Sequence, residues 1–288
     1  MKMKIKILYE DKNILVIDKP SGIMVHPASG GVNPDGRSKE KTITDWIIKN
    51  YPKLKGVGEP VTFDDKEIDR PGIVHRLDKE TSGVLIVVKN KQAFAHYKKQ
   101  FMERVIKKTY VAIVSGWVNP PAGGDHGIIN KPIGRSPNDF RRRLAGRGAR
   151  GEMRDAVTEY KIIKRFQAPA CQNFSSRQTQ VSQNFSGSSR FRIQNRSHTD
   201  KNFEKPSSGK FSLLEIKPKT GRTHQIRVHM KYLNHPVVCD SLYDPKGFCP
   251  TGLKRLALHA KFIEFKDLKG KTIKVESPVP KEFLKMVK

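Results

Sequence analysis

The chain has 288 residues, with 56 Lys or Arg against 28 Asp or Glu and a formal net charge of +28. This excess of cations favours a polyanionic partner, which could be RNA, DNA or an anionic membrane surface. No stretch approaches the ~20 apolar residues that span a bilayer, and the N-terminus lacks the apolar core of a signal peptide, so we expect a cytoplasmic protein without a membrane partner.

The N-terminal half predicts strands and helices separated by polar loops. In chain order these are strands at 5–8 and 14–18, a loop at 28–41, a helix at 42–50, a loop at 51–71, a strand at 84–88, a helix at 91–105 and a β-rich run at 108–118. In the second helix, Phe94, Tyr97, Phe101 and Val105 fall on one face, and Asn90 can cap the first turn. This helix is therefore expected to be amphipathic.

The C-terminal half begins with a basic segment and contains a polar one. Residues 131–154 hold eight Lys or Arg against two acids. Their Gly and Pro content predicts a flexible loop that clamps RNA through its phosphates, with a merely solvated loop as the alternative. Residues 172–209 contain 18 Ser, Gln or Asn among 38 residues and no Leu. So polar a segment cannot bury enough apolar surface to order itself, and we predict a disordered insertion.

Strand patterns lie on both sides of this insertion, so the two flanking strands are free to pair. They fall at 159–166 and 211–217, and they are followed by a helix at 223–233 and strands at 256–265 and 272–275. Strands and helices thus mix without strict alternation, which favours an α+β fold over a doubly wound sheet.

The three cysteines, Cys171, Cys239 and Cys249, do not indicate a disulfide framework. Structural zinc sites usually show close Cys or His pairs, and the spacing of Cys239, Cys249 and His235 does not. We therefore predict no metal site.

The stretch from 72 to 90, GIVHRLDKETSGVLIVVKN, combines a polar loop with an apolar strand. Loops anchored on a rigid strand are where catalytic groups tend to sit. Asp78 lies between Arg76 and Lys79, so its carboxylate should stay ionised and available as a nucleophile or base. An Asp that only caps the loop backbone is the alternative that local composition leaves open.

The segment HRLDKETSG at 75–83 resembles the signature of the RluA-type RNA pseudouridine synthases. Further matches follow in the family's order: ILYEDKNILVIDKPSGIMVHP at 7–27, KTYVAIVSG at 108–116, LLEIKPKTGRTHQIRVHM at 213–230, and RLALHA at 255–260 with SPVP at 277–280. The resemblance covers roughly 5–165 and 211–288. VHPASGGVNPDG, together with GIVHRLD, is similar to the branch that acts on large-subunit ribosomal RNA.

The resemblance implies a single catalytic domain over 1–288, without an S4-type RNA-binding domain. Its fold would be α+β, with a largely antiparallel, bent mixed sheet, surrounding helices and a central catalytic cleft. The implied reaction moves the bond of ribose C1′ from uracil N1 to C5, which needs no redox step and no cofactor. We expect a monomer that acts on structured RNA, with large-subunit ribosomal RNA favoured. Transfer RNA, or a non-catalytic RNA-binding assembly factor with the same fold, are the alternatives.

The resemblance also assigns three catalytic roles. Asp78 matches the catalytic Asp, which would attack either C1′ of the ribose or the uracil ring. Tyr110 matches the Tyr that lies against the target base, with a core aromatic as the alternative. Arg227 matches the basic residue that pairs with the Asp, with a solvent-facing helical Arg as the alternative.

Other matched residues would contact RNA. Arg76 matches an Arg that takes the place of the extruded base in the RNA stack. His75 would support the same loop or pack as a structural His, and Arg222 would contact phosphate or shape its turn. Three arginines at the centre of the basic segment would bind the RNA backbone, namely Arg141, Arg142 and Arg143.

One position departs from the family, which commonly has Gly where Cys239 stands. If the backbone there takes a positive φ, a cysteine would strain the turn.

Overall fold

The computed structural model describes residues 3–27, 41–63, 66–168 and 209–287. The strands are β1 (Lys6–Glu10), β2 (Ile14–Lys19), β3 (Val61–Phe63), β4 (Lys66–Ile68), β5 (Ser82–Val88), β6 (Lys107–Ser115), β7 (His126–Asn130), β8 (Ile133–Arg135), β9 (Arg143–Ala145), β10 (Arg150–Arg154), β11 (Val157–Gln167), β12 (Lys210–Pro218), β13 (Leu258–Lys266) and β14 (Thr272–Glu276). The helices are α1 (Ile43–Asn50), α2 (Lys91–Met102), α3 (Gln225–Tyr232) and α4 (Lys281–Val287).

Nine strands form the main sheet, in the order β1-β2-β5-β13-β6-β12-β11-β7, with β14 paired to β13. Among the described strands, β5 with β13 is the only parallel pairing. Helices pack on this largely antiparallel sheet, so the predicted α+β class is confirmed. None of the helices in the described ranges is long and apolar enough to cross a membrane.

Both faces of β5 are buried, which explains its unbroken apolar sequence. Ile86 shares a core cluster with Tyr97 of α2 on one side of the sheet. Leu85 belongs to a second cluster with Ile47 of α1 on the other side. Strands that are buried on both faces read as continuous apolar runs. This rigid strand carries the polar loop at 75–81 on its N-terminal end.

The predicted helices are present, with one error in their length. Thr42 caps α1 and Asn90 caps α2, each by accepting a hydrogen bond from a backbone N–H in the first turn. The second helix ends at Met102, however, and Val105 is 54% exposed. Arg104, with φ of 60°, turns the chain into the left-handed region, so the helical spacing that placed Val105 inside no longer applies.

The two strands that flank the insertion pair with each other, as expected. Residues of β11 from Thr158 to Gln167 lie opposite residues of β12 from Pro218 to Lys210. The Ala168 N–H extends the ladder by donating to the Gly209 carbonyl. The predicted insertion at 172–209 lies outside the described residues except for Gly209.

The basic segment at 131–154 is not simply a loop, which corrects the sequence analysis. It contains β8, β9 and β10, which form a separate three-stranded sheet in the order β10-β8-β9. We call this three-stranded unit, with its connecting turns, the basic sheet. Of the glycines that indicated a loop, Gly146 and Gly148 lie in the turn between β9 and β10 with positive φ, whereas Gly134 and Gly151 lie within β8 and β10. Turn chemistry between very short strands therefore masked the strands themselves.

Cys239 and Cys249 form a disulfide, with 5.0 Å between their Cα atoms. This disulfide was not predicted, because the spacing of the two cysteines does not reveal that the intervening segment folds back. Cys239 has φ of 57°. A side chain in this left-handed region costs ~1–2 kcal/mol, so the strain anticipated at this position is present.

Candidate active site

One row of residues across the sheet explains why the matched motifs meet. Gly83 of β5 lies opposite Ala260 of β13, and Ala260 lies opposite Tyr110 of β6. Tyr110 also pairs with Ile216 of β12, the strand that leads through a turn into α3. The loop before β5, the Tyr110 side chain and the start of α3 therefore border the same cleft, although they are far apart in the chain.

Gly83, the glycine of the HRLDKETSG segment, is required by packing. A Cβ atom there would lie 2.1 Å from the Ala260 carbonyl oxygen, and the residue has φ of +111°. Only glycine lets β5 approach β13 this closely without strain. The glycine thereby fixes where the preceding polar loop enters the sheet.

The cleft has a volume of about 410 Å³, which is within the range of small-ligand sites. Its lining contains one carboxylate, that of Asp78. Six cationic side chains also line it, those of Arg76, Arg104, Lys108, Lys219, Arg222 and Arg227. A cleft with this charge balance attracts a polyanion towards its single carboxylate.

Arg227 bridges two carboxylates at the cleft. Its Nε and Nη2 donate to Asp240 Oδ2 and Oδ1, each at 2.7 Å, and its Nη1 lies 3.7 Å from Asp78 Oδ2. Burial lowers the pKa of Arg227, but the hydrogen bonds and charge of Asp240, followed by the charge of Asp78, outweigh burial and raise it. The solvent-facing alternative for Arg227 is therefore excluded. The predicted neighbour, Asp78, is present, but the tighter partner is Asp240.

Asp240 is buried and was not among the predicted site residues. Its carboxylate also accepts the backbone N–H groups of Leu242 and Tyr243. The available signal was an acid directly after the apolar run of HPVVCD, because a buried acid requires a cationic partner.

Tyr110 is partly buried on β6 and lines the cleft. Burial, and then the charge of Asp78, raise the pKa of its phenol. The hydroxyl therefore holds its proton at neutral pH and can donate a hydrogen bond to a bound ligand.

His224 lies beside Asp78 and contacts Tyr243, and neither residue was predicted as a site residue. His224 precedes α3 with a left-handed φ of 57°. Its Nδ1 lies 2.8 Å from the Tyr243 hydroxyl, and its Nε2 lies 3.9 Å from Asp78 Oδ1. Burial lowers the pKa of His224, with Asp78 opposing this effect, so the imidazole is neutral at neutral pH. Its place in TGRTHQIR, between two predicted site residues, was the signal that could have found it.

His75 supports the loop from beneath. Its Nε2 accepts the backbone N–H of Ile86 at 2.9 Å, and its ring stacks on Phe101 with 4.5 Å between centroids. Burial, and then the charge of Lys108, lower the pKa of His75 to about 3. Both roles left open by the sequence fit this geometry, because a packed structural ring at this place also holds the loop on β5.

Arg76 and Arg222 both line the cleft but are held differently. Arg76 is exposed, and its Nη1 lies 3.4 Å from His26 Nε2. Arg222 donates from Nε to the Asp155 carbonyl at 3.0 Å, while its backbone N–H donates to Gln225 Oε1. Arg222 therefore shapes the turn before α3, whereas Arg76 is exposed at the cleft with His26 as its neighbour.

Lys19 is a further residue that the sequence analysis missed. It is fully buried, and its Nζ donates to the carbonyls of Pro20, Ile23 and Lys79 at 2.9, 2.7 and 3.0 Å. Burial lowers its pKa to about 7. Lys19 ties the turn after β2 to the loop that carries Asp78, so its position in the matched DKPSG segment has a structural reason.

The three arginines of the basic sheet lie outside the cleft lining. Arg141 donates twice to the Asp139 carboxylate, at 3.0 and 2.9 Å, and Arg142 Nε lies 3.5 Å from the same group. Arg143 donates from Nη1 to the carbonyls of Phe140 and Arg142. Phe140, which directly precedes these arginines in the chain, is 83% exposed. The basic sheet thus presents charge and one aromatic ring to solvent.

No three His, Cys, Asp or Glu side chains in the described ranges are grouped so that they could hold a metal ion.

Comparisons with known proteins agree on one family. The family model described as RNA pseudouridylate synthase matches residues 13–232. The "Ribosomal large subunit pseudouridine synthase D" of Xanthomonas campestris is 35% identical, over 98% of this chain and 68% of that protein. The protein of the same name from Borreliella burgdorferi is 34% identical, over 97% of this chain and 67% of its own length.

Solved structures support the same fold. Human RNA pseudouridylate synthase domain containing 1 superimposes with a TM-score of 0.61 at 21% identity, covering 96% of this chain and 83% of that one. The residues that line the cleft, apart from Leu258, lie in the region matched by the family model, and the matches to the two bacterial relatives cover nearly the whole chain. The chain is therefore a member of the RNA pseudouridylate synthase family, an isomerase with an RNA substrate.

Proposed function

We propose that the chain isomerises uridine in large-subunit ribosomal RNA, with Asp78 as the nucleophile. The observation that carries this proposal is the single carboxylate of the cleft, which lies 3.7 Å from Arg227 in a lining with six cations. The cations attract RNA, and the lone carboxylate is the group available for a covalent bond. The ribosomal substrate rests on the two bacterial relatives, whose names give them that activity.

The reaction needs an attack, a rotation and a proton transfer. Asp78 attacks ribose C1′ and breaks its bond to N1, or it adds to the uracil ring. In the first route C5 of the rotated base then attacks C1′ and displaces Asp78. In the second route the C1′–N1 bond breaks in the adduct, the base turns, C5 bonds to C1′ and Asp78 is expelled. In both routes C5 loses its proton and N1 gains one, so the product is an isomer of the substrate. Arg227 keeps the attacking carboxylate oriented, because its own position is fixed by the two hydrogen bonds to Asp240.

Tyr110 contacts the base in this proposal and changes its acidity during the reaction. The charge of Asp78 contributes to the raised pKa of the phenol. When Asp78 becomes an ester it loses that charge, so the pKa of Tyr110 falls. The phenol is then better able to pass a proton, either directly or through water, while the base is repositioned.

The remaining residues bind or reshape the RNA. Arg76 fills the space that the flipped nucleotide leaves, which offsets part of the few kcal/mol that flipping costs. Arg222 holds its turn and contacts phosphate. The arginines of the basic sheet, Arg141, Arg142 and Arg143, bind the RNA backbone. We further propose that the enzyme acts as a monomer in the cytoplasm.

Mapping of pseudouridines in ribosomal and transfer RNA tests this proposal. Cells that lack the gene should lose modification in large-subunit ribosomal RNA, and the wild-type gene should restore it. A gene with Asp78→Asn should not restore it. Loss confined to transfer RNA would overturn the ribosomal substrate. Restoration by the Asp78→Asn gene would overturn the nucleophile and favour a non-catalytic assembly factor.

A further inference from the structure

A chain of polar contacts connects Asp78 to the basic sheet through two residues with no role so far. The backbone N–H of Arg143 donates to the Tyr243 hydroxyl at 3.0 Å. The same hydroxyl lies 2.8 Å from His224 Nδ1, and His224 Nε2 lies 3.9 Å from Asp78 Oδ1. The two ring nitrogens of His224 thus face two different oxygen atoms, one of them on the proposed nucleophile.

The proton positions along this chain follow from the chemistry of its members. A backbone N–H can only donate, so it occupies a lone pair of the Tyr243 oxygen. Burial raises the pKa of Tyr243 to about 12, so its hydroxyl retains a proton, and His224 Nδ1 is the acceptor at hydrogen-bond distance. A neutral imidazole that accepts at Nδ1 carries its proton on Nε2, which is the nitrogen that faces Asp78.

We infer that His224 is a positioning residue for Asp78, with Tyr243 fixing the tautomer that directs the Nε2 proton at the nucleophile. The inference rests on the proposed role of Asp78. The separation of 3.9 Å in the free enzyme is longer than a hydrogen bond. Such catalytic contacts commonly tighten when the substrate binds, so we place the hydrogen bond in the RNA complex.

The backbone of His224 supports a functional reason for its orientation. Its φ of 57° lies in the left-handed region, which is uncommon for a residue with a side chain. Residues held in such conformations cluster at functional sites. Here the left-handed conformation of His224 places its ring between Tyr243 and Asp78. The backbone conformation usual at the start of a helix would direct the ring elsewhere.

Two substitutions of His224 separate positioning from folding. In His224→Asn, the amide reaches the place of Nδ1, so it keeps a partner for Tyr243, and Asn tolerates left-handed backbone. It is too short to reach Asp78. In His224→Gln, the amide reaches the place of Nε2 and can donate to Asp78. The inference predicts that only His224→Asn lowers the single-turnover rate at saturating RNA, by about 10- to 100-fold.

The affinity for RNA and the melting temperature distinguish this role from a structural one. Both should stay near the wild-type values in His224→Asn, and His224→Gln should recover most of the rate. Tyr243→Phe keeps the ring and removes the hydroxyl, so it should slow the reaction by about 3- to 10-fold through loss of the tautomer. The double variant should be no slower than His224→Asn, because the two residues act as one unit.

Asp78→Asn in the same assay separates the two proposals. If Asp78→Asn is inactive while His224→Asn reacts at the wild-type rate, the role of His224 is overturned and the nucleophile stands. Equal losses in His224→Asn and His224→Gln, or additive losses with Tyr243→Phe, overturn it as well. Turnover by Asp78→Asn overturns the nucleophile itself. Should His224→Asn fail to fold, Tyr243→Phe decides, and a wild-type rate for it overturns the inference.

Discussion

The charged groups of the cleft and those of the basic sheet are held in opposite ways. The side chains of Arg227 and Asp240 are 7% and 0% exposed, whereas Arg141 is 63% exposed and its partner Asp139 is 18% exposed. Exposed ion pairs contribute about 0–1 kcal/mol to stability, but removal of one partner from a buried pair costs about 3–5 kcal/mol. The molecule thus fixes the groups that face Asp78, the proposed nucleophile, and leaves exposed the groups proposed to meet RNA.

This difference follows from what each region has to recognise. Attack on a single carbon atom requires the nucleophile to be aligned, and a misplacement of about 1 Å can cost 100-fold in rate. Phosphate contacts tolerate side-chain motion because they position the RNA backbone and do not have to align one particular atom. Buried charged side chains are therefore found at the cleft, whereas those of the basic sheet are more exposed.

Removal of the charge of Asp240 should have the largest effect on stability. In Asp240→Asn the buried Arg227 loses its closest counter-charge, so the free energy of unfolding should fall by about 3–5 kcal/mol. Asp139→Asn is the matched control in the basic sheet, and its cost should stay below about 1 kcal/mol. Urea denaturation measures both, and equal costs would contradict the contrast between the two regions.

Replacement of a glycine by alanine should also destabilise the cleft more than the basic sheet. In Gly83→Ala the Cβ meets the Ala260 carbonyl oxygen at 2.1 Å, so we expect a loss of about 2–4 kcal/mol from overpacking and strain. Gly148 of the basic sheet has φ of +86° but no atom within 4 Å of the added Cβ. Gly148→Ala should therefore cost only about 1 kcal/mol. Thermal melting would refute this account if Gly148→Ala proved the more damaging change.

Acid should destabilise the cleft through His75. Burial, and then Lys108, lower the pKa of His75 to about 3, below the ~6.5 of an unfolded histidine. Between these values the unfolded chain binds more protons, so the free energy of unfolding falls as the pH drops. His75 alone should account for about 2 kcal/mol between pH 7 and pH 5. Denaturation at several pH values measures this loss, which His75→Gln should reduce; an unchanged profile would argue against it.

Removal of three positive charges from the basic sheet should have the smallest effect of these changes. We expect it to alter the affinity for RNA. Replacement of Arg141, Arg142 and Arg143 by Ala should raise the Kd for RNA about tenfold at moderate salt. The slope of log Kd against log salt should fall in magnitude by roughly two to three. Asp139 already offsets part of the charge of Arg141 and Arg142, so the smaller value is expected. A salt titration with an unchanged slope would rule out phosphate contacts by these arginines.

Secondary structure could be predicted from the sequence where a segment shows one clear pattern of apolar residues. The apolar run at 84–88 predicted a strand, and it is unbroken because β5 is buried on both faces. The spacing of apolar residues in the second helix predicted that helix only as far as Arg104, where the backbone takes a left-handed conformation. The strands of the basic sheet were missed because each has only three to five residues. So short a strand shows no clear alternation of apolar and polar residues among the many turn-forming residues of this segment. The pairing of Cys239 with Cys249 depends on how the chain folds back, which no local pattern encodes.

The candidate site was predictable only as far as its motifs reached. Asp78, Tyr110 and Arg227 were identified by resemblance, and the sheet register brings their elements to one cleft. Asp240 and Lys19 were missed because a buried charge looks like a surface charge in sequence. Only the structure shows the two hydrogen bonds of Arg227 or the three carbonyls around the Lys19 ammonium.

Single-turnover tritium release from RNA labelled at uracil C5, measured with RNA affinity, tests whether the cleft performs the chemistry and the basic sheet the binding. We predict that Asp78→Asn releases no tritium and binds RNA within about threefold of wild type. The triple Arg variant should bind more weakly yet react within about threefold of the wild-type rate at saturating RNA. Tritium release by Asp78→Asn, or a triple variant that loses its saturated rate while it keeps its affinity, would contradict this division.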